Sequence, residues 1–494
     1  MSLILVVCIP FFASILGFIF SRLRNEWNFL GGLLTLYYAF RLFLAQRGRI
    51  LAYPLGKIWG LEFKFQADNL SGFIILFISF LGFLSILYSL RYCRKMELER
   101  LRSYYLFLLL AIAGANGLLL SSNLFLLLFF WIFLSLVFYG FSGEKGVLIG
   151  IVLSIFLISG GVFLLFQQAG NTELIPNSPL NLLPLAFVLI TFGVLVKILI
   201  IPFRFCWAET KKILPTPVMA FIPASLDKLL GIYLLTRISF YIFDIRSDWP
   251  LRNFLMLIGG MLILIGLVKA MRENELFSFL SLHSLTQTGY ILLGIGTGTP
   301  IGIAGGIFHT VNNTLHQFGL FLTTGSVESW TKEREIERLG GLAKRMPLTF
   351  FAFLVSALGI SDIPPLNGFF SKWLIYQGVW GLGRGFFIYL LVAVSGNVFT
   401  LFSFLRLTRA IFFGEIPKGW EKIREVGFSM WFPGVIIALL SLIFGIFAHS
   451  IPLKHLIYPS LPFSLLSPGA VQSVFTGFLL ILGLIIGFII YLRF

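Results

Sequence analysis

Ser361-Asp-Ile-Pro-Pro-Leu-Asn-Gly-Phe-Phe-Ser-Lys-Trp373 lies in the middle of an apolar run that spans residues 346–380. That run is too long for one straight membrane helix, which needs about 20 residues. Pro364 and Pro365 stand near its centre, and proline breaks helices, so the run predicts one broken membrane helix. Freed backbone groups inside a membrane are tolerated only against protein or water. Lys372, just past the break, is therefore the strongest functional candidate in the chain.

The composition of the whole chain is that of a polytopic membrane protein. Of 494 residues, 58% are hydrophobic and only 12% are charged, against about 25% charged in a soluble chain. The formal net charge of +16 comes mostly from short loops, as membrane topology requires. This distribution predicts contact with the lipid bilayer and no nucleic-acid partner.

About fifteen apolar runs have the length of membrane spans. Positive residues concentrate in the loops after odd-numbered spans, for example in 91–102 and 332–345. The positive-inside rule then places the N-terminus outside and predicts a multi-pass protein of the inner (cytoplasmic) membrane. The runs are 2–22, 28–45, 70–92, 104–121, 122–142, 146–167, 181–203, 217–239, 252–271, 276–296, 301–325, 346–380, 385–412, 429–449 and 472–492.

Ionisable residues inside these runs are functional candidates, because each costs at least about 2.5–3.5 kcal/mol in a membrane. Alternatives stay open: Lys197 could extend to the membrane surface, and Lys228 could form a structural ion pair at a helix end. The ionisable candidates are Lys197, Asp227, Lys228, His283, His309, His316 and Lys372, and the polar ones are Asn312, Asn313 and Gln317.

One helix carries a polar stripe. His309, Asn313 and either His316 or Gln317 follow helical spacing and share one face. Such a stripe indicates a hydrated, proton-conducting seam, or alternatively hydrogen bonds that hold the helix bundle together. No carboxylate or cysteine accompanies the stripe as a zinc site would require, and the three cysteines have no metal or disulfide spacing. We expect no metal and no redox cofactor on this chain.

Several motifs together resemble the antiporter-like membrane subunits shared by respiratory complex I, membrane-bound hydrogenases and Mrp cation/proton antiporters. The resemblance covers about residues 60–420. The motifs are Ala67-Asp-Asn-Leu-Ser71, Lys197-Ile-Leu-Ile-Ile-Pro202, Pro215-Thr-Pro-Val218, Gly231-Ile-Tyr-Leu-Leu-Thr-Arg237, His283-Ser-Leu-Thr-Gln-Thr-Gly-Tyr290, Ile363-Pro-Pro-Leu-Asn-Gly-Phe-Phe-Ser-Lys372 and Phe412-Phe-Gly-Glu415.

The resemblance implies an all-α membrane protein of about 14–15 transmembrane helices, with two inverted five-helix repeats and with helices 7 and 12 broken. It divides the chain into helices 1–3 (1–100), a first repeat of helices 4–8 (104–239), a second repeat of helices 9–13 (252–413) and C-terminal helices (429–494). It also implies a central row of proton-carrying side chains. In this chain the row would consist of Lys197, Lys228 and Lys372, with Asp227, His309, His316 and His283 relaying protons through water and Asn312, Asn313 and Gln317 lining the path.

The chain departs from the family at three places. Ile132 replaces a glutamate of helix 5, and Asn313 and Gln317 replace a histidine and a lysine of helix 11. Lys228 falls one residue early, which turns it by about 100° on its helix. Because the acid at position 132 is lost, we predict that no carboxylate lies within about 4 Å of the Lys197 ammonium, where water or a polar group would take its place.

The resemblance implies a proton-translocating subunit of a multisubunit redox-driven complex that contains other membrane subunits, including further antiporter-like ones. Electron transfer would occur on partner chains. Two alternatives remain open: an Mrp-type subunit that exchanges Na⁺ for protons, and a structural subunit that has lost conduction, which Ile132 and Gln317 favour.

Overall fold

The computed structural model describes residues 2–58, 61–170, 173–174, 184–205 and 214–461. Within these ranges the chain is helical apart from one two-stranded sheet and isolated bridges. Among the described residues, ten helices are long and apolar enough to cross a membrane. The prediction of an all-α polytopic membrane protein is therefore confirmed. The predicted span 472–492 lies outside the described residues.

The chain divides into two compact units. Unit 1 is Met1–Leu251 with Val426–Pro433, and unit 2 is Arg252–Glu425 with Gly434–Phe494. The helices up to residue 237 are α1 Ser2–Ile19, α2 Arg24–Ala45, α3 Asn69–Tyr92, α4 Leu98–Leu120, α5 Leu124–Ser142, α6 Lys145–Ala169, α7 Pro184–Phe205, α8 Thr216–Phe221 and α9 Asp227–Arg237. The helices that follow are α10 Trp249–Ala270, α11 Leu276–Gly296, α12 Pro300–Thr331, α13 Pro347–Ile360, α14 Asn367–Trp380, α15 Phe387–Phe412 and α16 Phe428–Ile446.

A β-hairpin joins α2 to α3 in unit 1. Its strands, β1 Leu51–Ile58 and β2 Leu61–Ala67, pair antiparallel. Asp68 follows directly and starts α3 with a capping box in which it exchanges hydrogen bonds with Ser71. The same carboxylate forms a 2.6 Å ion pair with the buried guanidinium of Arg237, which fixes the end of α9 to the start of α3.

The eighth predicted span is one continuous, irregular helix. Thr216–Ile242 is buried inside the chain apart from Tyr241, which is partly buried. A π-helical segment, Ile222–Leu226, separates α8 from α9. A π-helical turn accommodates more residues than an α-helical turn and is common at functional sites. Here it ends immediately before Asp227, so it sets the direction in which that side chain points.

The centre of unit 2 is α12, whose side chains are buried from Gly302 to Val327. It packs against α11, α13 and α14. Because α12 is enclosed on several sides, its polar stripe faces other helices and not lipid.

The twelfth predicted span is broken, as expected. α13 ends at Ile360 and α14 begins at Asn367. The connection holds Asp362 in the left-handed region, at φ 60°, and a cis bond between Pro364 and Pro365. The seventh span is helical through Phe205, and residues 206–213 lie outside the described part, so the break predicted there stays a prediction.

Candidate functional site

Lys197 on α7 has a carboxylate neighbour, so our prediction for this residue is wrong. Its Nζ lies 3.8 Å from Oδ1 of Asp227 at the start of α9, and both side chains are buried. The prediction failed because it considered only the acid lost at position 132. The π-helical segment before Asp227 brings a different acid, from a different helix, to the same lysine.

α5 supplies the other neighbours of Lys197. The ammonium donates to Oγ of Ser135 at 3.2 Å and lies 4.4 Å from the ring centroid of Trp131. These two residues are one helical turn apart and share a face. Ile132 is displaced by about 100° from Trp131 and is only partly buried. A cation held over an indole ring is stabilised without a second carboxylate.

Lys228 is fully buried, so its side chain does not extend to the surface of the chain. Successive residues of a helix project about 100° apart. Asp227 faces Lys197, so Lys228 points to another side of α9. The row predicted from the family resemblance therefore places two lysines and one aspartate in the interior of unit 1.

Lys372 is the centre of a second buried cluster, in unit 2. Its side chain is 0% exposed, and its Nζ lies 2.9 Å from Oδ2 of Asp362. The ammonium also donates to Oδ1 of Asn397 at 3.1 Å and to the carbonyl of Ile360 at 3.4 Å. The Tyr290 ring centroid is 4.1 Å away. The broken helix thus contains both the lysine, on α14, and its counter-ion, in the connection between α13 and α14.

His309 connects three helices. Its Nδ1 is 2.9 Å from Oγ of Ser371 on α14, and its Nε2 is 3.0 Å from Oε1 of Gln287 on α11. An amide oxygen can only accept, so the His309 tautomer that donates to Gln287 is the one with a proton on Nε2. Ser371 is adjacent in sequence to Lys372, so the histidine is hydrogen-bonded to the helix that carries the lysine.

His316 and Asn312 meet at one residue, Asn367, which begins α14. Nε2 of His316 lies 2.7 Å from Oδ1 of Asn367. The Asn367 amide donates to Oδ1 of Asn312 at 2.8 Å, and Asn312 donates back to the backbone carbonyl of Asn367 at 2.9 Å. His316 packs directly over Gly359, where any side chain would collide with its ring. This part of the stripe is hydrogen-bonded to the break itself.

Three predicted polar residues have no hydrogen-bond partner among the residues that the structure describes. They are His283, at both ring nitrogens, and Asn313 and Gln317, at both amide atoms. All three side chains are fully buried. His283 lies between Phe279 and Phe404, with ring centroids 4.6 and 4.7 Å away. Buried polar groups in native proteins bind a partner or ordered water, so these residues are suited to line a hydrated space.

Sequence reasoning missed several site residues. Asp362 and Asn367 both stand in the quoted broken-helix motif, but neither was assigned a role, although an acid directly before a double proline in an apolar run was a usable signal. Trp131 and Ser135 gave no signal, because aromatic and small residues are common in membrane helices. Asn397, a lone amide on α15, could have been singled out by its polarity.

The chemistry available to these clusters is proton exchange and electrostatics. Each unit holds a buried lysine in contact with an aspartate, and in unit 2 histidines and amides extend from it. Within the described ranges, no group of three or more histidine, cysteine or acidic side chains is placed to hold a metal ion. The distance of 2.9 Å between Nδ1 of His309 and the Ser371 hydroxyl suits proton transfer. The amide oxygens of Gln287 and Asn367 accept hydrogen bonds and hold the two histidine rings in place.

Comparison with known proteins points to one family. Residues 121–400 match the family model described as NADH:quinone oxidoreductase/Mrp antiporter, TM. The chain is 30% identical over 434 residues to Na(+)/H(+) antiporter subunit A1 of Staphylococcus haemolyticus, covering 78% of this chain and 53% of that protein. It is 28% identical over 441 residues to NADH-quinone oxidoreductase subunit N of Desulforudis audaxviator, covering 82% of this chain and 86% of that protein.

The fold also matches a solved structure along the whole chain. A chain of the membrane-bound sulfane sulfur reductase, an archaeal respiratory membrane complex, superposes with a TM-score of 0.85 at 21% identity, covering 100% of this chain and 85% of that chain. The chain spans about half the length of the antiporter subunit A1 that it matches. The family model covers more than half of the chain, including α5, α7, α11, α12 and α14, which carry the clusters described above. The resemblance inferred from the motifs is confirmed, and the chain belongs to the NADH:quinone oxidoreductase/Mrp antiporter transmembrane family.

Proposed function

We propose that this antiporter-like subunit translocates protons within a multisubunit redox-driven membrane complex. The observation that carries the proposal is the pair of buried lysine–aspartate contacts, Lys197–Asp227 and Lys372–Asp362. Buried ionisable groups are costly in a membrane, so each is a functional candidate by default. Protons exchange between such groups when they lie within hydrogen-bond distance or are joined by one water.

The residues of the proposed path have different tasks. Lys197, Lys228 and Lys372 carry charge, and Asp227 balances Lys197. His309 and His316 pass protons along α12, while His283, Asn313 and Gln317 hold the water that bridges the gaps. The redox cofactors belong to partner chains, whose electron transfer acts on this subunit through charge or helix position.

A second candidate function is exchange of Na⁺ for protons in an Mrp-type complex. The relatives support both candidates, since one is named an Na(+)/H(+) antiporter subunit and another an NADH-quinone oxidoreductase subunit. The third candidate, a structural subunit without conduction, rests on Ile132 and Gln317, of which Ile132 marks the loss of an acid. The Lys197–Asp227 contact argues against it, because an acid is present at this lysine after all.

Membrane vesicles that contain the native complex distinguish these candidates. A proton gradient that forms only when an electron donor is added supports the redox-driven function. Sodium-dependent collapse of an imposed pH gradient without any donor supports antiport. If the vesicles contain normally assembled complex and show neither response, the result supports a structural role. We place the complex in the cytoplasmic membrane with other membrane subunits and with the N-terminus of this chain outside, which protease accessibility of an N-terminal tag tests.

A further inference from the structure

We infer that Asp362, and not Lys372, receives the incoming proton in unit 2. This inference rests on the proposed function and names a residue to which the sequence motifs gave no role. The two members of the buried pair differ chemically. Lys372 is surrounded by hydrogen-bond acceptors, and Asp362 is the member of the pair that can still bind a proton.

The surroundings of Lys372 hold it as an ammonium. Its Nζ contacts the Asp362 carboxylate at 2.9 Å, the Asn397 amide oxygen at 3.1 Å and the Ile360 carbonyl at 3.4 Å, under the face of the Tyr290 ring at 4.1 Å. Carboxylate, amide oxygen, carbonyl and ring face all favour a cation. An ammonium has no lone pair, so it cannot accept a further proton.

The carboxylate of Asp362 can accept one. A bond between the incoming proton and a carboxylate oxygen changes the pair from zero net charge to +1. The ammonium then lacks its counter-ion, and it releases a proton from Nζ to water on the exit side, which leaves neutral lysine beside neutral aspartic acid. Transfer of the carboxyl proton to Nζ breaks the O–H bond, forms an N–H bond and restores the ion pair. One proton has entered and one has left.

The helix break gives Asp362 the position that this step needs. The residue follows the end of α13 and precedes the double proline, so its carboxylate is held by irregular backbone and not by a helix ladder. Its φ of 60° is in the left-handed region, which Asp and Asn tolerate better than other side chains. Asp362→Asn therefore preserves the backbone and the shape while removing the group that binds the proton.

Other titratable groups surround Lys372 and Asp362 and can contribute to a pH response of this cluster. Tyr290 and Tyr376 interact electrostatically with Asp362. His283 and His316 interact electrostatically with Lys372. Neither tyrosines nor histidines produce the carbonyl absorption of a protonated carboxyl group, so infrared spectroscopy separates Asp362 from its neighbours.

The experiment is infrared difference spectroscopy of the native complex in membranes, between alkaline and acidic buffer, combined with donor-driven proton pumping. We expect a carboxyl band in the wild type that is missing from Asp362→Asn, and at least a tenfold loss of pumping in that variant. Asp362→Glu should shift the band and retain part of the pumping. Glu425→Gln is the matched control, since Glu425 accepts hydrogen bonds from Leu348 and Thr349 at the other end of α13, and it should pump normally.

Two results would overturn the inference: an Asp362→Asn spectrum identical to that of the wild type, or normal pumping by that variant. If Asp362→Asn does not assemble, the spectrum of Asp362→Glu shows whether the carboxyl band belongs to residue 362. A carboxyl band at the wild-type frequency in Asp362→Glu would show that it arises from another residue, and this would overturn the inference. Lys372→Ala separates this inference from the proposed function. Normal pumping by Lys372→Ala contradicts the proposed function, whereas loss of pumping in Lys372→Ala with normal pumping in Asp362→Asn contradicts only the role of Asp362.

Discussion

Removal of either charge of the Lys197–Asp227 pair should strongly lower the free energy of unfolding. Removal of both charges should lower it by less than the sum of the two single losses. The two charged atoms are 3.8 Å apart and buried. At about 4 Å and an effective dielectric constant of about 20, opposite charges attract by about 4 kcal/mol. An uncompensated buried charge costs about 3–5 kcal/mol, so Lys197→Met and Asp227→Asn should each lose an energy of that order.

The coupling energy between the two substitutions is the quantity to measure. We expect about 1–3 kcal/mol, the upper range for residues in contact. It is smaller than the Coulomb attraction because the ammonium keeps Ser135 and Trp131 as neighbours. Denaturant unfolding of wild type, both single variants and the double variant gives the four free energies, provided that the slope with denaturant is the same in all four.

A second double-mutant cycle tests whether two substitutions that are not in contact also give an apparent coupling energy. Asp244 pairs with Arg246 in a partly exposed ion pair, so Lys197→Met combined with Asp244→Asn should be additive within about 0.3–0.5 kcal/mol. If the Lys197–Asp227 cycle were additive to the same degree, the two residues would not interact, and Asp227 would not be the counter-ion of this lysine.

The remaining predictions concern transport. His309→Gln keeps a hydrogen-bonding side chain but removes a group that titrates near neutrality, so pumping should fall in a normally assembled complex; unchanged pumping would mean that α12 only holds the bundle together. Ile132→Glu should partly restore the pumping of Asp227→Asn, because position 132 is three residues before Ser135, which accepts a hydrogen bond from Lys197. Pumping rates of the single and double variants measure this, and a double variant as inactive as Asp227→Asn would show that position 132 does not reach the lysine.

The sequence was sufficient to predict the helices and the break. Apolar runs predicted α11 at the bounds that the structure has, 276–296, and the double proline predicted the interruption between α13 and α14. These features depend on local composition and on the chemistry of proline. The buried polar residues were also evident, since charge inside an apolar run is conspicuous whatever its partner.

The partners of those residues could not be predicted, because they depend on which helices meet. The sequence shows that Asp227 is adjacent to Lys228, but its contact with Lys197 follows the π-helical segment Ile222–Leu226, and periodicity in the sequence does not predict such a segment. Likewise, Asp362 reaches Lys372 because the chain turns through a left-handed residue between two helices. Side-chain pairing across such irregular backbone is decided by tertiary packing.

Donor-driven proton pumping by membrane vesicles that carry Lys372→Ala shows whether the buried clusters translocate protons. The Lys372 ammonium is fully buried and holds together α13, α14 and α15 through Ile360, Asp362 and Asn397. If the buried clusters translocate protons, vesicles with a normal amount of assembled complex and normal electron transfer should lose pumping by at least about tenfold, equivalent to about 1.4 kcal/mol. Pumping at the wild-type rate by such vesicles would contradict the claim.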